Sequence, residues 1–246
     1  MLIQIGLVRL INKINILIPA AGKGSRSKLD YPKTLFKINN KSILERIIRN
    51  TSFLNSNISI IASPHGKKVI FDFLKKKKIK SEILIQKKPH GMGDAILHFK
   101  ESKFFKNTND LLLIWGDVPY IKKSTFKKLI NFHYNNQNTL SMLSIFVNNP
   151  YTLIKRNKFN KIKEVIETKN LKKKYKYGER EIGAFVVNKK IIFKFLNKKY
   201  MTSNKNKEHG FLYLVKILVK NNYKVESLLI DDIKESKSLN YINDIK

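Results

Sequence analysis

The chain has no cysteine. That excludes disulfides, thiolate metal sites and cysteine nucleophiles, and it fits the reducing cytoplasm in which the protein is expected to reside. It also lacks any run of about 18 uncharged apolar residues, so no transmembrane helix and no membrane insertion are expected. The opening run from Met1 to Ile18 is apolar but broken by Arg9 and Lys13. It continues into a small-residue loop that the fold needs, so it is read as folded chain and not as a signal peptide. Acidic residues are scarce, with 18 Asp and Glu against 50 Lys and Arg over 246 residues, a formal charge of +32. Arginine is scarcer still, at 6 of those 50, while Lys, Asn and Ile are heavily used throughout, as in AT-rich coding. A nucleic-acid surface concentrates Arg and aromatics on one face. Here Lys75 to Lys78 and Lys172 to Lys174 read as solvated helix ends or loops, and nucleic acid is not the expected partner. The charge still raises the local concentration of an anionic substrate.

What is present is 42% hydrophobic sequence, enough for a core in one α/β domain of this length. Short runs rich in Ile, Leu and Val predict strands at Asn15 to Ala20, Ile58 to Ala62, Glu82 to Gln86, Leu111 to Trp115, Thr139 to Val147, Ile162 to Glu167, Ile182 to Asn188 and Lys224 to Ile230. Helical spacing appears at Ile43 to Phe53, Lys67 to Leu74, Asp94 to Phe99, Ser124 to Tyr134, Lys189 to Leu196 and Phe211 to Lys220. Ser42 with Glu45 forms a capping-box pattern, and Ser124 is expected to cap the later helix. The polar segments Asn148 to Asn160 and Thr168 to Arg180 are expected to be loops. Alternating strands and helices imply a mostly parallel sheet, with ligands bound at the strand C-termini. Residues 1–13 are read as an N-terminal extension, 14–137 as a nucleotide-binding half and 138–246 as an acceptor-binding half.

Three elements carry chemistry. The first strand runs into Ala21-Gly22-Lys23-Gly24-Ser25-Arg26, where small residues let backbone N–H groups approach phosphate oxygens. Arg26 and Lys33 add positive charge, and the Tyr31-Pro32-Lys33 turn directs Lys33 back to the loop. Neither a Walker A loop nor the dinucleotide fingerprint is complete here. The second element is Trp115-Gly116-Asp117-Val118-Pro119, which puts a carboxylate just past a strand end, suited to Mg²⁺. The third is Gln86-Lys87-Lys88-Pro89-His90-Gly91-Met92-Gly93-Asp94-Ala95, between a strand and a helix. An amide there can read a base edge, Asp94 reads first as a helix cap, and His90 has no second His at ligand spacing. Taken singly, the first two elements are equally well ordinary turns.

In this order the three elements resemble the uridylyltransferase domain of the bacterial bifunctional N-acetylglucosamine-1-phosphate uridylyltransferases, within the sugar-1-phosphate nucleotidyltransferases. Matching stretches are Ala20 to Arg26, Pro32-Lys33, Gln86 with Gly91-Met92-Gly93, Gly116 to Pro119, Ile166-Glu167-Thr168-Lys169 and Ser238-Leu239-Asn240. The resemblance implies a Rossmann-like three-layer α/β/α nucleotide-diphospho-sugar transferase fold with a mixed, mostly parallel sheet. It implies an enzyme joining a nucleoside triphosphate, UTP above others, to a sugar 1-phosphate such as N-acetylglucosamine 1-phosphate. It assigns Mg²⁺ to Asp117 and Asn240, and catalysis to Arg26, Lys33 and Asp117. Nucleotide contacts fall to Pro19, Ala20, Ala21, Gly22, Gly24, Gln86, Gly91, Met92, Trp115 and Gly116, and sugar contacts to Thr152, Glu167 and Glu181. The departures lie on the acceptor side. Trp115 replaces a Tyr, Pro150-Tyr151-Thr152-Leu153 replaces Gly-Tyr-Gly-Arg, and Glu181 stands for an Asn. The family's acetyltransferase domain has no counterpart in this sequence. A transferase for CTP or GTP with another phosphorylated acceptor, such as phosphocholine, a basic nucleic-acid binder and an inactive binding relative are the competing readings. Oligomeric state, a homo-oligomer included, is left open.

Overall fold

A computed structural model describes residues 14–22, 27, 29–168, 174–196 and 209–245. The extension 1–13, Lys169 and Lys172 to Lys173 lie outside the described residues. The elements follow in chain order as β1 (Ile14–Pro19), a hairpin of β2 (Lys37–Ile38) and β3 (Lys41–Ser42), α1 (Ile43–Thr51), β4 (Ile58–Ala62), α2 (Pro64–Lys76), β5 (Glu82–Ile85), α3 (Met92–Leu97) and β6 (Asp110–Ile114). Then come α4 (Lys123–Asn135), β7 (Leu140–Asn148), β8 (Thr152–Arg156), β9 (Ile162–Glu167), β10 (Tyr177–Asn188), α5 (Lys189–Phe195), α6 (Tyr213–Lys220) and β11 (Val225–Leu229).

Seven strands form one sheet in the order β11-β7-β10-β6-β1-β4-β5. Every pairing in it is parallel except those of β10, which runs antiparallel to both β6 and β7. The central strands are buried on both faces, so their sequences are continuous apolar runs with no polar alternation. Alternate residues still go to opposite sides. Ile16, Ile18, Leu112 and Ile114 pack beneath α1, α2 and α4, while Leu17, Leu111 and Leu113 meet α3, α5, α6 and the β8–β9 hairpin. The result is the expected three-layer α/β/α arrangement. No described helix is long and apolar enough to cross a membrane.

Local chemistry sets the helix ends. Ser42 accepts from the Glu45 N–H at 3.1 Å, and Ser63 accepts from Gly66 with Pro64 in the first turn, the usual N-cap devices. The other half of the capping box is replaced, because the Glu45 carboxylate pairs with Lys77 at 3.1 Å. Ser124 does not cap α4. The N-cap position is Lys122, and the acceptor comes from far along the chain: Glu235 takes the Lys122 N–H at 2.8 Å and the Thr125 hydroxyl at 3.1 Å.

Two expected loops are partly strand. Within Asn148 to Asn160, β8 pairs with β9 in antiparallel register, Thr152 opposite Glu167, because Ile154 buries with Ile162 and Val165 in the second core layer. Within Thr168 to Arg180, β10 begins at Tyr177. Its buried Glu179 is held by Arg156, Ser144 and Ser227 at 2.7 to 2.9 Å.

The buried His133 ring meets Ser141 Oγ at 3.0 Å, and burial holds its pKa down at about 4 against an ordinary 6.5. The unfolded chain therefore binds a proton in that interval while the folded chain does not. This contribution to stability is whole above pH 6.5 and is lost as pH falls towards about 4, by about 3 kcal/mol in total. Urea unfolding measured across that range is expected to show a shallower acid loss in His133→Gln than in the unaltered chain.

Candidate active site

The first and central strands end side by side. Gly116 N–H donates to the Pro19 carbonyl at 3.1 Å, and a Cβ at residue 116 would stand 2.9 Å from that oxygen. Only glycine lets the β6 turn approach the Pro19 to Gly22 loop this closely, and the approach delivers Asp117 to the loop's side. Lys33 follows the Pro32 turn and places Nζ 2.5 Å from Asp117 Oδ2 and 3.3 Å from the Leu239 carbonyl. The Leu239 N–H donates to the Asp117 carbonyl at 2.9 Å. Three distant segments are thereby tied at one point, and Asn240 sits next to it, its Nδ2 on Ser238 Oγ at 3.1 Å.

Two cavities flank this junction. One, of about 550 Å³, is lined among others by Asp117, Asn240, Tyr151, Thr152, Glu167, Glu181, Trp115, Gly91 and Met92. The other, of about 540 Å³, is lined by Ala20, Ala21, Gly22, the Leu29 to Pro32 turn, Ser63 to Gly66 at the start of α2, and Gln86. The expected sugar residues Thr152, Glu167 and Glu181 thus share one cavity with the expected metal residues. Ala20, Ala21, Gly22 and Gln86 share the other. Gly91, Met92 and Trp115, assigned to the nucleotide by resemblance, line the cavity of the acceptor residues. Gly24 and Arg26 lie outside the described residues.

Trp115 is packed at 5.0 Å from Phe185 and 5.6 Å from Phe211. Gly183 makes room for it: at φ +80° a Cβ there would lie 2.7 Å from the indole. The β10 register shifts between Glu181 and Phe185, and the bulge turns Glu181 towards the cavity it shares with Asp117. Its buried carboxylate accepts from Gly183 N–H at 2.7 Å and from the Thr152 hydroxyl at 3.3 Å. Burial raises its pKa, opposed by those two bonds and by the charge of Arg180.

Sequence reading left several lining residues unassigned. Tyr151 was seen only as part of a replaced loop. It carries the Arg180 guanidinium 4.5 Å over its ring, and Arg180 is fixed by the Ser236 carbonyl at 2.8 Å. His209 to Leu212 close the wall behind Gly91, with His209 bonded to His90 and Gly93 through backbone atoms at 2.6 and 2.7 Å. No local motif announces that contact. Asp94 does not cap α3. The N-cap is Gly91, and the Asp94 carboxylate accepts from Gln86 instead.

Mg²⁺ fits the donor set. Asp117 offers carboxylate oxygens, and Asn240, bonded through Nδ2, keeps its carbonyl oxygen for a hard cation. Among the described residues no group of three or more His, Cys, Asp or Glu forms a metal cage. Mg²⁺ characteristically takes one or two protein oxygens and completes its shell with water and substrate phosphate.

Comparison with known proteins gives the family. The MobA-like NTP transferase domain matches residues 16–181. The bifunctional protein GlmU of Streptococcus uberis is 30% identical over 227 residues, covering 91% of this chain and 48% of the relative. GlmU of Buchnera aphidicola subsp. Schizaphis graminum is 37% identical over 212 residues, covering 81% of this chain and 42% of the relative. The chain spans about half the length of these curated relatives. A Bacillus anthracis structure described as a glucose-1-phosphate thymidylyltransferase shares the fold with a TM-score of 0.71 at 15% identity, covering 89% of this chain and 87% of that one. The 4-diphosphocytidyl-2C-methyl-D-erythritol synthase of Anaerococcus prevotii does so with a TM-score of 0.64 at 14% identity, covering 96% and 95%. With the family match spanning most of the sheet and all three motif-bearing strand ends, the chain belongs to the MobA-like NTP transferase family and is thereby a nucleotidyltransferase.

Proposed function

We propose that the chain transfers the uridylyl group of UTP to a sugar 1-phosphate, N-acetylglucosamine 1-phosphate or a near relative of it, and releases pyrophosphate. The observation that carries this reading is the Lys33–Asp117 contact of 2.5 Å, in which Asp117 lines one cavity and Lys33 follows Pro32, which lines the other. Base and ribose take the cavity of Ala20 to Gly22 and Gln86, the sugar takes the cavity of Thr152, Glu167 and Glu181, and the phosphates meet between them. A phosphate oxygen of the acceptor forms a bond to the α-phosphorus. The bond to the bridging oxygen breaks, and pyrophosphate leaves with its electron pair. The acceptor phosphate is already ionised at neutral pH, so no side chain has to remove a proton.

Alignment and charge neutralisation are then the protein's tasks. Lys33 balances charge growing on the leaving group, with Arg26 assigned the same task by resemblance. The Pro19 to Gly22 backbone holds the phosphate chain close to the sheet edge. Asp117 and Asn240 would hold Mg²⁺, which would supply positive charge against the repulsion between anionic phosphates. Thr152 and Glu167, opposite each other on β8 and β9, meet sugar hydroxyls.

Pyrophosphate release measured with UTP, CTP, GTP and dTTP against a panel of acceptor phosphates tests the assignment. UTP with N-acetylglucosamine 1-phosphate is expected to give the highest kcat/KM. A preference of about tenfold or more for another pair, a difference of about 1.4 kcal/mol, would reassign the substrates. Phosphocholine belongs in that panel because the acceptor wall carries the carboxylate of Glu181 where the family has an Asn.

A further inference from the structure

We propose that Asp94 is a positioning residue that locks the Gln86 amide, so that Gln86 offers the base cavity its oxygen alone and selects a base presenting an N–H. The inference rests on the reading that this cavity takes the base of the triphosphate.

Gln86 is buried, with 4% of its surface exposed. Its Nε2 lies 2.9 Å from Asp94 Oδ2 and 3.1 Å from the Gly91 carbonyl oxygen. Both neighbours accept hydrogen bonds, and a primary amide has one donating end and one accepting end. Turning the amide over would set its oxygen against two oxygens in a site with little water, which is costly. Chemistry therefore fixes which end points at Asp94. Both N–H bonds of Nε2 are spent there. Oε1 is the remaining polar atom of a side chain that lines the Ala20 to Gly22 cavity.

The lock itself is rigid. Asp94 is buried in the first turn of α3. The Gly93 N–H donates to the His209 carbonyl at 2.7 Å, which anchors the turn from outside. On the far side the His98 ring stands 3.7 Å from the same Oδ2, and its other nitrogen is 2.8 Å from Glu101. A free glutamine reads donors and acceptors alike by rotating. A locked one reads an N–H, such as the imide N–H of uracil, and methylation at that nitrogen removes what it reads. Sites built to bond one group reject analogues that lack it far more strongly than apolar pockets do.

The test uses the full chain with UTP and N3-methyl-UTP, following pyrophosphate release. Asp94→Asn keeps the volume of the side chain, but its own amide can turn its NH₂ towards Gln86, so the lock is weakened to the Gly91 carbonyl. The unaltered chain is expected to prefer UTP by about a hundredfold or more in kcat/KM. Asp94→Asn is expected to raise the KM for UTP about tenfold, the size of one lost hydrogen bond. The kcat should stay within about twofold and the acceptor KM should not move, while the discrimination against N3-methyl-UTP narrows by about tenfold. In a Gln86→Ala background, Asp94→Asn should add nothing, because the two residues act as one unit. Additive effects, a wild-type KM in Asp94→Asn, or a parallel fall in kcat with both KM values moving together would overturn the lock. The same lock is readable without turnover, as slow hydrogen exchange of the Gln86 side-chain NH₂ that becomes fast in Asp94→Ala. Equal exchange in the two proteins would overturn it. Absence of pyrophosphate release from the unaltered chain would count against the transferase reading alone, and the exchange measurement would then decide the lock.

Discussion

Replacing Asp117 by Ala is expected to lower turnover by about a hundredfold or more, the scale of losing one key electrostatic group from a phosphoryl or acyl transfer site. The same scale is expected for Lys33→Ala. The reasons differ. On the proposed mechanism Asp117 would supply a carboxylate oxygen for Mg²⁺. Lys33, which lies 2.5 Å from that carboxylate, would supply a fixed charge for the leaving group on the same mechanism. Because they touch, their effects should not add: the double variant is expected to be about as slow as the worse single one, as for residues acting as a unit. Steady-state pyrophosphate release from the three purified variants checks this. Near wild-type turnover in either single variant would remove that residue from the mechanism.

The second large effect is on stability. Glu179 is buried on β10 and receives Arg156 through two nitrogens, at 2.8 and 2.9 Å, along with the hydroxyls of Ser144 and Ser227. Glu179→Ala strands a partly buried guanidinium and two hydroxyls, and breaking such a pair from one side costs about 3 to 5 kcal/mol. Arg156 keeps some access to water, so about 3 kcal/mol is expected, or roughly 10 °C in Tm for a chain of this size. Burial alone would raise the Glu179 pKa. The bonds from Arg156, Ser144 and Ser227 outweigh it, and the net shift is downward. The stability this group contributes is therefore present above the ordinary carboxylate range and is lost as pH falls through its lowered folded value. Melting curves of Glu179→Ala should show the deficit at neutral pH and approach the unaltered chain in acid. A deficit independent of pH would assign the effect to packing.

Much of the fold was legible where burial leaves a simple pattern. Ile58 to Ala62 and Ile162 to Glu167 are read at their true bounds, since a short apolar or alternating run between turn residues has few other solutions. The errors have a common physical origin in non-local partners. β8 holds Lys155 and Arg156 and looks like polar loop until β9 pairs with it. The first half of β10 carries Glu179, Arg180 and Glu181, whose burial depends on partners as distant as Arg156, Ser227 and Ser236. The cap of α4 comes from Glu235, 113 residues from the backbone N–H it receives, and no local signal could announce it.

The candidate site divides in the same way. Lys33 and Asp117 were legible because each sits beside a turn whose glycine or proline restricts the chain. That they touch each other depends on two strand ends being neighbours in the sheet. Asp94 was misread as a cap because an acidic residue near a helix start usually is one. Its actual partner, Gln86, is eight residues earlier across a loop. The wall behind Gly91 was the least legible part, since His209 reaches it through backbone hydrogen bonds that most residues can make.

One measurement bears on the whole account: a crystal structure of the chain with Mg²⁺ and a non-hydrolysable UTP analogue. The base should lie in the Ala20 to Gly22 cavity beside Gln86, the metal should bind Asp117 and Asn240, and Lys33 should have turned from the carboxylate to the phosphates. A nucleotide bound elsewhere, or an Asp117 still paired with Lys33 and bare of metal while the nucleotide is in place, would contradict it.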